Sequence, residues 1–333
     1  MVFAQLVFML LVILIAAEVF TNALEHLGER LKISEGVTGS LFAAVGTALP
    51  ETMVPLLAIF AGTADSRLNE EIGVGAILGA PLMLSTLSLC LMAIAVLRKR
   101  GVHGHLSPER SGLERDLNFF LFAFSLSAIA LFIPRELPAV RGALAVGMVL
   151  IYFVYIMLTL RASARLVKDG HGTEANEKMF LERLGFSVNM PLIITQLVLG
   201  LVLLVAGAKG FIHGVEEASA ILGISALLLS LLIIPIATEL PEKVNSILWI
   251  RRHKDTLAFG NITGAMVFQG TLLPAIGIML TPWVPQREVL AGVVITLAAA
   301  LWLRILHGRG QLRVWHLGVN GMLYASYLAI ALT

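Results

Sequence analysis

Residues 31–53, LKISEGVTGSLFAAVGTALPETM, align without a gap onto residues 222–244, LGISALLLSLLIIPIATELPEKV, with 8 of 23 positions identical. After a loop six residues longer in the first copy, residues 75–87 (GAILGAPLMLSTL) align onto 260–272 (GNITGAMVFQGTL), with 6 of 13 identical. The chain therefore contains one pattern twice. How the two copies are oriented is decided by what lies around them.

Their surroundings are apolar. Of 333 residues 58% are hydrophobic and 14% charged, and mean hydropathy is +0.89. Soluble domains carry roughly 25% charged residues, so this surplus of apolar surface requires lipid. Ten stretches reach or approach the roughly 20 residues that cross a hydrocarbon core: 2–24, 36–62, 71–97, 116–133, 138–160, 190–213, 221–250, 256–280, 288–306 and 313–332. They are apolar all round rather than alternating, which predicts helices and excludes a barrel. The expected fold is an all-α polytopic membrane protein of ten transmembrane helices. A nucleic-acid-binding or disordered chain is excluded, and a net charge of +2 argues for no acidic partner. The single cysteine, Cys90, excludes an intramolecular disulfide. The first apolar run begins at Val2 with no basic region ahead of it, so no cleavable signal is expected.

Threading the spans alternately sorts the basic residues. One side receives 18: Arg30, Lys32, Arg98, Lys99, Arg100, Arg110, Arg115, Arg161, Arg165, Lys168, Lys178, Arg183, Arg251, Arg252, Lys254, Arg304, Arg309 and Arg313. The other receives 4 (Arg67, Arg135, Arg141 and Arg287), while Lys209 and Lys243 fall inside spans. The positive-inside rule makes the first side cytoplasmic and predicts both termini outside the cytoplasm. Five spans separate the copies, so the halves have inverted topology: 1–160, a cytoplasmic linker 161–189, and 190–333. Inverted repeats with interrupted helices mark secondary transporters, whose site lies near the midplane where the copies meet.

The best-matched stretch sets Gly46-Thr47-Ala48-Leu49-Pro50-Glu51 against Ala237-Thr238-Glu239-Leu240-Pro241-Glu242. A proline within a helix releases the carbonyl four residues back, here those of Gly46 and Ala237. In lipid such a carbonyl needs a partner, and a cation is a suitable one. Each proline precedes a carboxylate and follows a threonine by about one turn. Carboxylate, hydroxyl and carbonyl oxygens together suit Ca2+ or Na+ rather than a thiophilic metal. An ionised Glu at membrane depth costs about 2.5–3.5 kcal/mol or more, which makes Glu51, Glu239 and Glu242 hard to explain as packing. The competing reading is that they are protonated or paired with Lys243 and only hold helices together. Asn261 and Gln269 are polar residues within a span and further candidate ligands.

The paired GTALPE and ATELPE segments, each followed by a Gly-x-x-x-Gly helix in an inverted plan, resemble the sodium/calcium exchangers of the calcium/cation antiporter superfamily. The resemblance implies a secondary antiporter, with no cofactor, that moves Ca2+ against Na+ or H+ by alternating access. Helices 1 and 6 would move against a core of helices 2, 3, 7 and 8. It implicates Glu51 and Glu242 as Ca2+ ligands and Thr47 and Thr238 in cation contacts. The chain departs from the family pattern where Ser is expected: Ala48, Glu239, Ala80 and Ala265 stand there. The Asn or Asp one turn further on is Leu84 in one copy and Gln269 in the other. Several sodium-site oxygens are thereby removed, and protons stand as the second candidate counter-ion. Another cation (Mg2+, Mn2+ or a monovalent ion) and a cation channel are the alternatives. The expected setting is the plasma (inner) membrane of a prokaryote. Lipid and inorganic cations are the expected partners, with no nucleic acid and no obligate protein partner.

Lys243 beside Glu242 is expected either to pair with Glu239 or to act as a tethered counter-charge at a cation position. Extending the repeat sets Glu18 opposite Lys209, a possible pair across helices 1 and 6. The Gly75/Gly79 and Gly260/Gly264 pairs predict close helix approach. Loops 98–115 and 161–189 read as solvated connectors, and Trp249, Trp283 and Trp302 as interfacial anchors. An HExxH or GxSxG motif, which an intramembrane hydrolase would need, does not occur.

Overall fold

The computed structural model describes residues 2–30, 49–61, 65–167 and 178–332. They form helices α1 (Val2–Arg30), α2 (Leu49–Ala61), α3 (Ser66–Arg100, with a π-helical turn at Leu84–Ser88), α4 (Arg110–Ala130), α5 (Pro138–Val167) and α6 (Phe180–Arg183). They continue with α7 (Met190–Leu222), α8 (Ala226–Thr238), α9 (Leu240–Arg251), α10 (Asp255–Leu280), α11 (Arg287–Gly308) and α12 (Val314–Ala331). Six stretches are long and apolar enough to cross a bilayer by length and composition. The only extended pairing among the described residues is the single bridge His105–Arg313. This is a multi-pass, all-helical membrane protein.

The chain divides into two compact units, residues 1–69 with 156–223, and residues 70–155 with 224–333. In the first, α1 and α7 lie antiparallel. Gly200 faces Phe20, Gly207 faces Val12 and Ile13, Gly210 faces Met9 and Gly214 faces Leu6. Lipid tails are as apolar as leucine, so no hydrophobic force drives helices together in a bilayer, and small residues that admit close backbones do the work. The outward face of α1 presents Phe3, Val7, Phe8, Leu11 and Ile15, as a lipid-facing stripe should. This register overturns the Glu18–Lys209 pair. Lys209 adjoins Gly210 at the level of Met9, and Glu18 is nine residues further along α1, about 13 Å at 1.5 Å per residue.

Asn22 pairs with Gln196: Gln196 Nε2 donates to Asn22 Oδ1 at 2.9 Å and to the Val19 carbonyl at 3.0 Å. Their oxygens accept the backbone N–H groups of Phe180 (3.1 Å) and Leu181 (3.0 Å). The end of the linker is thus docked, with Met179 buried, rather than a solvated connector throughout. Asn189 caps α7 by accepting from Leu192 N at 2.9 Å, and Gly223 closes it with a left-handed φ of 66° that favours glycine.

In the second unit, α10 is fastened at both ends. At its N-terminus Asp255, placed where the helix dipole favours an anion, binds Arg100 bidentately (2.7 and 2.8 Å) and accepts the Ser107 amide at 2.9 Å. At its C-terminus the buried Arg141 guanidinium donates to the carbonyls of Ile278, Thr281 (2.8 Å) and Pro282 (2.9 Å). These are carbonyls that a helix end leaves without intrahelical donors. The 98–115 loop is accordingly packed rather than merely solvated. Leu106 is buried, and backbone groups of Val102, Gly104 and Leu106 bond Trp315, Val314 and Leu312. His103 and His105 are exposed. Trp283, expected at an interface, is buried against Gly277 and donates Nε1–H to the Ser127 carbonyl at 3.1 Å.

Candidate functional site

The second-copy motif breaks its helix where the prolines predict. α8 ends at Thr238, Glu239 forms a turn with φ −86° and ψ 6°, and α9 begins at Leu240 with Pro241 in its first turn. Two backbone bonds bridge the break, Glu239 N to Pro235 O (3.2 Å) and Lys243 N to Glu239 O (3.1 Å). It is therefore a kink rather than a parting of the chain. Pro241 has no N–H to return to Ala237, so that carbonyl is released at the kink.

A second release occurs one turn earlier, because Pro235 frees the carbonyl of Leu231. That carbonyl faces Gly79, where any Cβ would overlap it and the Pro235 ring, and one turn along Gly75 presses on Ser230 and Leu227. The Gly-x-x-x-Gly pair of the first copy thus lets α3 seat against α8, as its spacing predicts. In the second copy, a Cβ on Gly264 would stand 3.7 Å from Tyr155 Oη, and one on Gly260 would meet none of the described residues within 4 Å.

Around the kink, polar atoms gather in a fully buried setting. Glu239 is 0% exposed, Glu242 5%, Lys243 6%, Thr238 2% and Gln269 2%. Gln269 Nε2 donates to Glu239 Oε1 at 2.5 Å. This leaves Glu239 Oε2, Glu242 Oε2 and Gln269 Oε1 buried and without a hydrogen-bond donor among the described residues. A buried acceptor without a donor is destabilising by about 1–3 kcal/mol, and more when charged. Three around one kink form a donor set of hard oxygens. The two carboxylates repel each other, and Lys243 attracts both. Its ammonium donates to the Pro235 carbonyl and approaches Met83 Sδ, each at 2.9 Å.

The other candidates fall as follows. Thr238 Oγ1 donates back to Ile234 O at 3.2 Å, which leaves its lone pairs available. Asn261 Nδ2 donates to the Glu242 carbonyl and to Ser246 Oγ, both at 3.0 Å. It clamps α9 to α10 and holds the backbone that carries Glu242. Glu51 is buried in the first turn of α2 and belongs to the other compact unit. Gly46 and Thr47 lie outside the described residues.

The two copies differ in a way the alignment does not reveal. Position 84, the counterpart of Gln269, opens the π-helical turn Leu84–Ser88, a feature frequent at functional sites. Ser85 and Thr86 hydroxyls both return to Leu82 O (3.2 and 2.5 Å), and Asn320 Nδ2 caps Ser85 O at 2.7 Å. Sequence reading missed Asp116 as well. It lies buried on α4 and accepts from Thr263 Oγ1 at 2.8 Å and Tyr155 Oη at 3.1 Å. An Arg-Asp pair at the mouth of an apolar run looks like an ordinary cytoplasmic flank, so nothing in the sequence marked it.

Comparison with known proteins bears on this arrangement. The family described as sodium/calcium exchanger protein matches residues 1–161 and 192–333. CaxA of Alkalimonas amylolytica is 26% identical over 281 residues, covering 82% of this chain and 79% of that protein. The inner membrane protein YrbG of Escherichia coli strain K12 is 24% identical over 279 residues, covering 84% and 80%. Among solved structures, the H+/Ca2+ exchanger CAX superposes with a TM-score of 0.69 at 20% identity, covering 98% of this chain and 82% of that one.

Proposed function

The chain belongs to the sodium/calcium exchanger protein family, and from that premise we propose that it is a secondary active antiporter moving Ca2+ across the membrane against Na+ or H+. The single observation that carries this reading is the buried oxygen set of Glu239, Glu242 and Gln269 at a proline kink. Oxygen-only donors of high charge suit a dehydrated hard cation, and Ca2+ takes six to eight such ligands. The site draws on Glu242 and Glu239, with Gln269, Thr238 and the freed Ala237 carbonyl completing it. Asn261 acts as a positioning residue for Glu242. By the repeat relation, Glu51, Thr47 and the Gly46 carbonyl contribute from the first copy. A solved structure of this fold is that of an H+/Ca2+ exchanger, and the family name specifies sodium, so both counter-ions enter the test.

We further propose ten transmembrane helices in two inverted halves, 1–160 and 190–333, with both termini outside the cytoplasm. The 18 to 4 partition of basic residues supports that orientation. Alternating access would come from spans 2–24 and 190–213 moving against spans 36–62, 71–97, 221–250 and 256–280.

The deciding experiment is Ca2+ uptake into proteoliposomes under an imposed Na+ or H+ gradient, with Mg2+ and Mn2+ as competitors. One gradient should drive uptake, and Glu242→Gln should abolish it. Ca2+ passage without any gradient dependence would mark a channel, and displacement of Ca2+ by Mg2+ or Mn2+ at lower concentration would reassign the cargo. A protein with no gradient-driven flux of any of these ions would overturn the reading.

A further inference from the structure

The C-terminal ends of α3 and α9 are fastened together within one compact unit. Arg100 Nη2 donates to the Ile250 carbonyl at 2.6 Å, and the same guanidinium holds Asp255 at 2.7 and 2.8 Å. Arg98 and Lys99 precede Arg100, while Arg251, Arg252 and Lys254 follow Ile250. These five cations are exposed and form no ion pair among the described residues. Elsewhere on the basic side Arg100, Arg110, Arg115 and Arg304 each pair with a protein carboxylate. The positive-inside rule accounts for the sign of the five charges, but not for their gathering around one clamp without acids. The turn that carries three of them is short. Lys254 N donates to Trp249 O at 3.0 Å and His253 N to Ile250 O at 3.2 Å, with His253 in the left-handed region at φ 60°.

Both helices bring an exposed apolar stripe to this clamp. On α9, Leu240, Val244 and Leu248 are exposed and recur every four residues, and Arg251 follows on the same face. On α3, Ile94 and Leu97 are exposed, and Arg98 follows Ile94 by four residues. Such a stripe on a membrane helix meets acyl chains, so the arginine at its end lies at headgroup level. We propose that the joined ends of α3 and α9 bind an anionic phospholipid, with its phosphate among Arg98, Arg251 and Arg252 and its acyl chains along the two stripes. A guanidinium pairs phosphate oxygens through two parallel N–H bonds, and basic pockets between spans hold anionic headgroups. A zwitterionic lipid carries its own cation and gains less from the five positive charges. Glu242 lies on α9, and Met83 on α3 meets Lys243. A lipid seated here therefore braces two helices that surround the oxygen set.

The test is thermal unfolding of the purified protein in a neutral detergent, with increasing phosphatidylglycerol or phosphatidylcholine. A ligand of the folded form raises the melting temperature with its concentration, so phosphatidylglycerol should raise it more than phosphatidylcholine does. Arg98→Gln combined with Arg251→Gln should lose that difference. Arg309→Gln, exposed at the end of α11, should keep it. Equal responses of the wild type to the two lipids overturn the proposal, as does a double variant that keeps the difference. If the double variant does not fold, the two single variants decide, since each should lose part of the difference. Inorganic phosphate alone should leave the melting temperature unchanged; a rise matching that of phosphatidylglycerol would assign the site to a soluble anion and overturn the lipid. Native mass spectrometry gives a second readout: the wild type should retain a phosphatidylglycerol adduct that the double variant loses, and equal retention would overturn the site. None of these measurements requires transport, so a failure of the exchanger reading is told apart from a failure here.

Discussion

Gln269 on the unbroken helix α10 donates to Glu239 at the break between α8 and α9, 2.5 Å from Oε1. One amide thereby orients the Glu239 carboxylate, while Glu239 Oε2, Gln269 Oε1 and, on the next turn, Glu242 Oε2 face no donor among the described residues. Gln269→Leu removes both the donor and an acceptor. A hydrogen bond to a charged group is worth about 1.5–3 kcal/mol, which corresponds to a loss of roughly tenfold or more in affinity. Isothermal titration of the purified protein with Ca2+ checks this; unchanged affinity would separate Gln269 from the site.

Gly79 is required by the close approach of α3 to α8 rather than by its backbone angle. Any Cβ there overlaps the Leu231 carbonyl, which Pro235 has freed. Overpacking of this kind destabilises by about 1–3 kcal/mol, and backbone cannot yield as a flexible side chain would. Gly79→Val should lower the melting temperature in detergent, whereas Gly142→Val, where a Cβ meets nothing within 4 Å, should not.

Arg141 satisfies three carbonyls at the end of α10. Arg141→Ala leaves them buried without donors, and the expected destabilisation is about 3 kcal/mol. Lysine cannot reproduce the planar fork, so Arg141→Lys should recover only part of the loss, read as thermal stability in detergent.

At the opposite end of α10, Arg100 and Asp255 form a pair in which each side chain is 8% exposed. Removing one partner strands the other, at about 3–5 kcal/mol. A double-mutant cycle should therefore show Arg100→Ala with Asp255→Ala less damaging than the sum of the single changes. Strict additivity in the melting temperatures would show that the two side chains act separately.

Glu109 caps α4, accepting from Gly112 N at 2.7 Å and Ser111 N at 2.8 Å. Those bonds, the Gly112 amide foremost, hold its carboxyl below the ordinary value of 4.5. The folded form thus favours the ionised side chain. Its stabilisation, about 1 kcal/mol for an N-cap, is complete above 4.5 and fades as pH falls through the lower folded value. Glu109→Ala should be less stable than wild type at neutral pH and indistinguishable from it in strong acid, compared by thermal unfolding.

Apolar runs of membrane length, a doubled GTALPE/ATELPE motif and sided basic residues made the class, the repeat and the motif acids readable from residue order alone. Each of these signals is local: span length, proline position and charge count need no knowledge of what packs against what. Asn22 and Gln196 carry no local signal, because only the α1/α7 register brings them together. Asp116 was hidden because Arg-Asp at a span mouth has an ordinary explanation, and its partners Tyr155 and Thr263 are 39 and 147 residues away. Glu18 and Lys209 looked paired because the repeat aligns them, but repeat symmetry relates positions without putting them in contact.

By itself the sequence determined a helical membrane chain that carries one pattern twice, with acids beside prolines where a helix must break. Only the tertiary structure decided that Asn261 grips the backbone under Glu242, that Gln269 orients Glu239, and that Lys243 reaches Pro235 and Met83. The physical reason is that a proline declares its own broken bond, whereas the partner of a buried polar group is chosen by which helix happens to lie within 3 Å of it.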